Sequence, residues 1–119
     1  MKKTQDRIEE FNKKRNWGNI GEVKDLLLNM SEEIGEFWNI IKWVDSEKQE
    51  KLIKENKDEV ENFIGDALYL ILKIAHICEV DSQKAINDVL EEYEERFPIE
   101  EIKKIGHTNK KAGGIDFKK

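Results

Sequence analysis

The sequence predicts an all-α protein, an antiparallel four-helix-type bundle completed by oligomerisation. Three observations lead there. Apolar residues recur at three- and four-residue intervals through two long segments, the spacing of one helix face. Charged residues make up 39% of the chain and apolar residues 38%, with one proline and seven glycines, a composition that suits helices with wide solvated faces. Nothing along the 119 residues resembles a series of strands, and the length suits one core.

Taken in order, the segment 4–16 carries Ile8 and Phe11 at helical spacing among charges and reads as a short amphipathic helix. "NWGNIG" breaks it, with Gly18 and Gly21 as punctuation. From 23 to 44 the apolar positions Leu26, Leu27, Met30, Ile34, Phe37, Ile40, Ile41 and Val44 follow one helix face. Ser46 with Gln49 three residues on reads as a capping box that opens a short polar helix over 47–56. The segment 57–79 has the widest apolar arc and should be the most buried helix. Asp81 or Ser82 then caps a helix running to Phe97, with Ala85, Ile86, Val89, Leu90 and Tyr93 expected inward and Pro98 beyond its end. The division expected is a helical domain over 1–98 and a C-terminal tail or arm over 99–119, in which "GHTNKKAGGIDFKK" is expected to be extended or partly disordered. Short connections make the helices antiparallel neighbours. Two wide apolar arcs would leave surface uncovered in a monomer of this size, so a homo-oligomer is expected, dimer and tetramer being equally open.

The net charge of −5 argues against a general nucleic-acid binder, which needs a basic face. It leaves room for a nucleotide, since a divalent cation can bridge acidic protein to phosphate. Cys78 is the single cysteine, lies in an apolar run, and reads as a small core residue. "MKKTQDRIEEF" has no apolar h-region, and the longest apolar run, "ALYLIL", is far too short to span a bilayer. The expectation is a soluble, cytoplasmic protein with no membrane partner.

The acidic residues of "SEEIGEFWNIIKW" raise the question of function. At about 100° per residue, Glu33 and Glu36 lie about 60° apart on one helix face. Glu33 borders the apolar stripe, with Glu22, Asn29 and Trp43 near the same strip, while Glu32 points further outward. On the later helix, Asp66 borders the apolar arc, with Glu59, Asn62 and Lys73 close in angle. Antiparallel packing would let these strips meet. Carboxylates gathered at a seam repel unless a cation joins them, and hard oxygen donors suit Mg²⁺ or Mn²⁺. An E-x-x-E pair is also what an ordinary solvated helix edge carries.

"RNWGNIGEVKDLLLNMSEEIGEFWNIIKW", followed by "FIGDALYLILKIAHICEVD" and "ERFP", resembles the all-α nucleoside triphosphate pyrophosphohydrolases, in particular the MazG-like group and its small dCTP pyrophosphatase-type members. The likeness spans roughly 4–98. It implies Mg²⁺-dependent hydrolysis of a nucleoside triphosphate to monophosphate and pyrophosphate. By resemblance, Glu33 and Glu36 are the first metal-binding and catalytic pair, Glu32 stands beside them, and Asp66 matches the last carboxylate of the second pair. Trp17 and Trp43 match aromatic positions around the nucleobase, and Arg96 matches a basic position near the phosphates. Without the resemblance, Trp17 packs the first loop, Trp43 packs the bundle, and Arg96 is a surface arginine paired with Glu92.

The chain departs from the family pattern at three places. Phe63 stands where the second pair should have its glutamate, Val89 and Tyr93 replace an expected Lys and Asn, and Gly21 replaces a histidine of some relatives. Glu59 is aligned with Asp66 in angle but lies about 10.5 Å along the axis at 1.5 Å per residue, too far to replace Phe63 at one ion. His76 points away from Asp66 and reads as a satisfied structural histidine. Three readings follow: a Mg²⁺-dependent pyrophosphohydrolase, a catalytically weakened nucleotide-binding or interaction protein on the same fold, and a plain helical assembly protein.

Overall fold

The computed structural model describes residues 1–106 and 108–116. They form α1 (Lys2–Lys13), a 3-10 turn (Ile20–Glu22), α2 (Val23–Ile41), α3 (Ser46–Glu55), α4 (Lys57–Ile77), α5 (Ser82–Arg96) and α6 (Ile99–Ile105), and no strand occurs among the described residues. The fold is all-α, as the periodicity predicts. No helix among the described residues is long and apolar enough to cross a membrane.

The chain divides into two units, Met1–Ser82 and Gln83–Lys119. In the first, α4 is the central helix, packed on α1 and α2 with α3 beside them. Both long neighbours run antiparallel to it. Across the α2–α4 seam Phe37 meets Phe63 and Glu22 meets Lys73, so the residue numbers run in opposite senses. Across the α1–α4 seam Asn12 meets Tyr69 and Glu9 meets His76. The core is thin: Leu70 and Leu72 are 5% and 3% exposed, and with Lys73 they make α4 the most buried helix. Past its end, Gln5 on α1 ties down the turn, donating to the Val80 carbonyl at 2.7 Å and accepting from the Ser82 backbone N–H at 2.9 Å and from its hydroxyl.

Several boundaries differ from the sequence expectation. The first helix spans 2–13 rather than 4–16. The second ends at Ile41, not at 44, because Lys42 is extended and Trp43 turns left-handed at φ +64°. The cap of α3 is Asp45, whose carboxylate accepts the Lys48 N–H at 2.9 Å; Ser46 is therefore inside the helix, and Gln49 donates its amide to Val44 O instead. Cys78 is exposed rather than a core residue, since α4 stops one residue before it. The apolar arc of α4 also overshoots its buried strip: Ile64, Leu68 and Ile71 stay 39–50% exposed, while Leu72 is the residue that is sealed.

The second unit holds the rest of α5 and α6. α6 precedes the stretch from Gly106 on, its first turn carrying Glu100 and Glu101 and its last Lys103 and Lys104, the arrangement the helix dipole favours. Beyond Gly106 the described residues form turns pinned by Lys110 N–H to Asp116 and Lys111 N–H to Thr108. Ile86, Val89, Leu90 and Tyr93, expected inward, are exposed.

Candidate active site

The α2–α4 seam places the acidic residues. α2 brings Glu33 and Glu36 one turn apart on its face toward α4, where they line a hollow of about 40 Å³ with Phe37, Ile40, Glu59, Asn62 and Phe63. Asp66 lines a neighbouring open groove with Asp58, Glu61, Asn62 and Gly65, so Asn62 belongs to both. The Asn62 amide donates to Asp66 Oδ2 at 3.3 Å. Glu33 and Asp66 are partly buried, Glu32 and Glu36 exposed.

These groups feel one another. The Glu33 carboxyl is pushed above the ordinary glutamate range, first by desolvation at the seam and then by the negative charges of Glu36, Asp66 and Glu32. Three of the acidic residues singled out in the sequence, Glu36, Asp66 and Glu32, therefore act on a fourth, Glu33. Glu59, set aside as too far from Asp66, joins the first pair instead: antiparallel crossing brings the start of α4 to the end of α2, a juxtaposition that helix angle alone does not reveal. Phe63, in the place of the expected glutamate, stacks on Phe37 with ring centroids 5.0 Å apart and forms an apolar wall of the hollow.

The donor set is hard carboxylate and amide oxygen, the chemistry that suits Mg²⁺ or Mn²⁺. Repulsion that raises Glu33 is what a cation at this spot would relieve. Among the described residues, however, no three acidic, histidine or cysteine side chains close to within metal-holding distance of one another. The carboxylates fit an ion whose remaining ligands come from elsewhere, such as water or phosphate oxygens, and not a closed protein cage.

The two tryptophans are not brought together. Trp17 lies beside the start of α2, edge-on to Phe11 at 6.0 Å, with Lys73 Nζ 4.8 Å from its ring centroid. Trp43 lies past the other end, 91% exposed and edge-on to Trp38 at 6.5 Å. The 19 residues of α2 separate them by about 28 Å at 1.5 Å per residue. Arg96 belongs to the second unit, where it pairs with Glu92 and lies over the rings of Tyr93 and Phe97 at 5.5 and 5.9 Å. His76 is held on the α1 side of α4, with Nδ1 3.6 Å from Glu9 Oε2.

The fold is shared by a solved pyrophosphatase. That protein, from Archaeoglobus fulgidus DSM 4304, matches 81% of this chain with 90% of its own, at a TM-score of 0.69 and 27% sequence identity. No protein-family model and no curated protein sequence matches the chain with significance.

Proposed function

We propose that the protein is a cytoplasmic, Mg²⁺-dependent hydrolase that converts a nucleoside or deoxynucleoside triphosphate to its monophosphate and pyrophosphate, in the manner of the MazG-like, dCTP pyrophosphatase-type proteins. The observation that carries this reading is the focusing of carboxylate charge on Glu33, in a fold shared with a solved pyrophosphatase. Glu33 and Glu36 would hold the metal, with Asp66 across the seam and Glu32 at the edge adding negative charge around it, and Mn²⁺ as a substitute. Bound there, the cation would offset the triphosphate's charge and complete its own shell from phosphate oxygens. Glu33, held above the ordinary range, is suited to take the proton of the water that attacks the α-phosphorus, with Glu36 orienting that water.

Trp17 and Trp43 would flank one base only if they came from two copies of the chain. The exposed apolar residues of α2 and α4, among them Leu27, Ile34, Trp38, Leu68 and Ile71, supply a face for such a homo-oligomer, dimer or tetramer. The Phe37–Phe63 pair favours a second reading, a catalytically weakened nucleotide-binding protein, because it removes one carboxylate from the seam.

Incubation with each common NTP and dNTP in Mg²⁺ or Mn²⁺, with monophosphate and pyrophosphate measured, separates the two. Turnover on at least one nucleotide, abolished by Glu33→Gln, is expected. No turnover above the Glu33→Gln control across the panel would sink the enzyme reading. A nucleotide- and metal-dependent rise in melting temperature without turnover would then support the second.

A further inference from the structure

We infer that Lys73 and Glu22 are positioning residues that hold the Trp17 indole for base stacking. This rests on the reading of Trp17 as a base-stacking group and assigns it a support built from the middle of the bundle.

Lys73 is an unusual residue to find sealed. It is 7% exposed and is flanked along α4 by Ile71, Leu72, Ile74 and Ala75. An ammonium group taken out of water needs partners. Here they come from the loop between α1 and α2. Glu22 Oε2 lies 3.8 Å from Lys73 Nζ, and the Trp17 ring centroid lies 4.8 Å from it. The same Glu22 oxygen accepts the Gly18 backbone N–H at 2.9 Å, which fixes the residue next to Trp17. Both residues flanking Trp17 are left-handed, Asn16 at φ +57° and Gly18 at φ +118°, so the segment is a tight reversal and not a strand or helix that would hold its own shape. From α1, the Asn12 carbonyl accepts the Trp17 N–H at 3.0 Å.

The indole is thus held at its backbone by α1, at its neighbour by Glu22, and at its ring by an ammonium. Trp17 still keeps 46% of its surface open. A ring with a cation near it and open area remaining is a prepared stacking plane: its orientation is set before the base arrives, so less freedom is lost on binding. The contacts of Lys73 are with Trp17 and Glu22. Its effect on nucleotide binding must pass through Trp17.

That dependence is testable by a double-mutant cycle on the full chain. The probes are the four α,β-imido deoxynucleoside triphosphates with Mg²⁺, the tightest binder being carried forward. Lys73→Met keeps the length and apolar stem but removes the charge. It should weaken binding about fivefold, the size of a partly desolvated cation–π contact, and Lys73→Arg should restore most of the loss. In a Trp17→Ala background, Lys73→Met should weaken binding no further, and steady-state assays should show KM raised with kcat held. Equal weakening in both backgrounds, or none in the parent, would overturn the positioning role while leaving Trp17 as a base-stacking residue. If Trp17→Ala itself binds every probe as tightly as the parent, the base-stacking reading fails and this inference with it. Should Lys73→Met not fold, Glu22→Gln makes the same test from the partly exposed side of the latch, with the same outcomes deciding.

Discussion

Desolvation at the seam, and then the charges of Glu36, Asp66 and Glu32, hold the Glu33 proton to higher pH in the folded chain than in the unfolded one. The sign of the linkage follows. The folded state gains relative stability as pH falls through that raised range and loses it as pH rises past it. Glu33→Gln removes the repulsion, so the metal-free protein should melt at a higher temperature than the parent at neutral pH, while turnover falls about 100-fold or more if Glu33 takes the water's proton. A melting curve that is unchanged or lower would remove the charge-focusing argument. In the parent, kcat/KM should rise with pH through the same range, because a protonated Glu33 cannot accept a second proton. Trp43 offers a second test at this scale. Its left-handed backbone is strained for any residue with a Cβ, so Trp43→Gly should raise unfolding free energy by about 1 kcal/mol in urea titration. The same change should lower nucleotide affinity if the indole serves the base.

Helix pairing decides which sequence signals became a site. The α2–α4 seam puts Phe63 against Phe37, and Phe63→Glu should tighten Mg²⁺ binding roughly tenfold by restoring a fourth carboxylate. The ring pair is lost in exchange, at a cost of about 1 kcal/mol or more of stability; calorimetry with Mg²⁺ and thermal unfolding read the two effects separately. At the α1–α4 seam, Asn12 is fully buried and its side-chain Oδ1 accepts the Tyr69 hydroxyl at 3.1 Å, while its amide nitrogen has no partner among the described residues. Tyr69→Phe should therefore destabilise the fold by about 1–3 kcal/mol, the penalty for stranding a buried acceptor. Desolvation holds the Tyr69 phenol above its ordinary range, so the parent should lose stability as pH rises above that of a free tyrosine, and Tyr69→Phe should lose less. Helix existence and the Glu33–Glu36 face were legible in the sequence because both depend on a 3.6-residue period. Two things depend on how α4 packs against α2 and α1 and were not: the arrival of Glu59 at the first pair, and the burial of Leu72 and Lys73 in place of Ile64, Leu68 and Ile71. The end of α2 was missed for a local reason, since neither Lys42 nor Trp43 is a residue that announces a left-handed turn.

At the largest scale, the main imbalance among the described residues is between two well-buried apolar residues and a long series of exposed ones on α2, α4 and α5. Patches of that kind mark interaction surfaces, and the proposed homo-oligomer would make stability depend on concentration. Sedimentation should give a species at least twice the 14.1 kDa chain mass, and Ile34→Glu should shift it toward that mass. A monomer at micromolar concentration would leave the apolar faces without this explanation. The exposed Cys78 sets a limit on any covalent record of the assembly. One thiol per chain can make one interchain bond, so oxidation can link two copies and no more. A non-reducing gel of the oxidised protein should stop at the two-chain band whatever the assembly in solution. The yield of that band then reports how close the ends of α4 from neighbouring copies come to each other, because the bond forms only when two Cα atoms approach to about 4.4–6.8 Å.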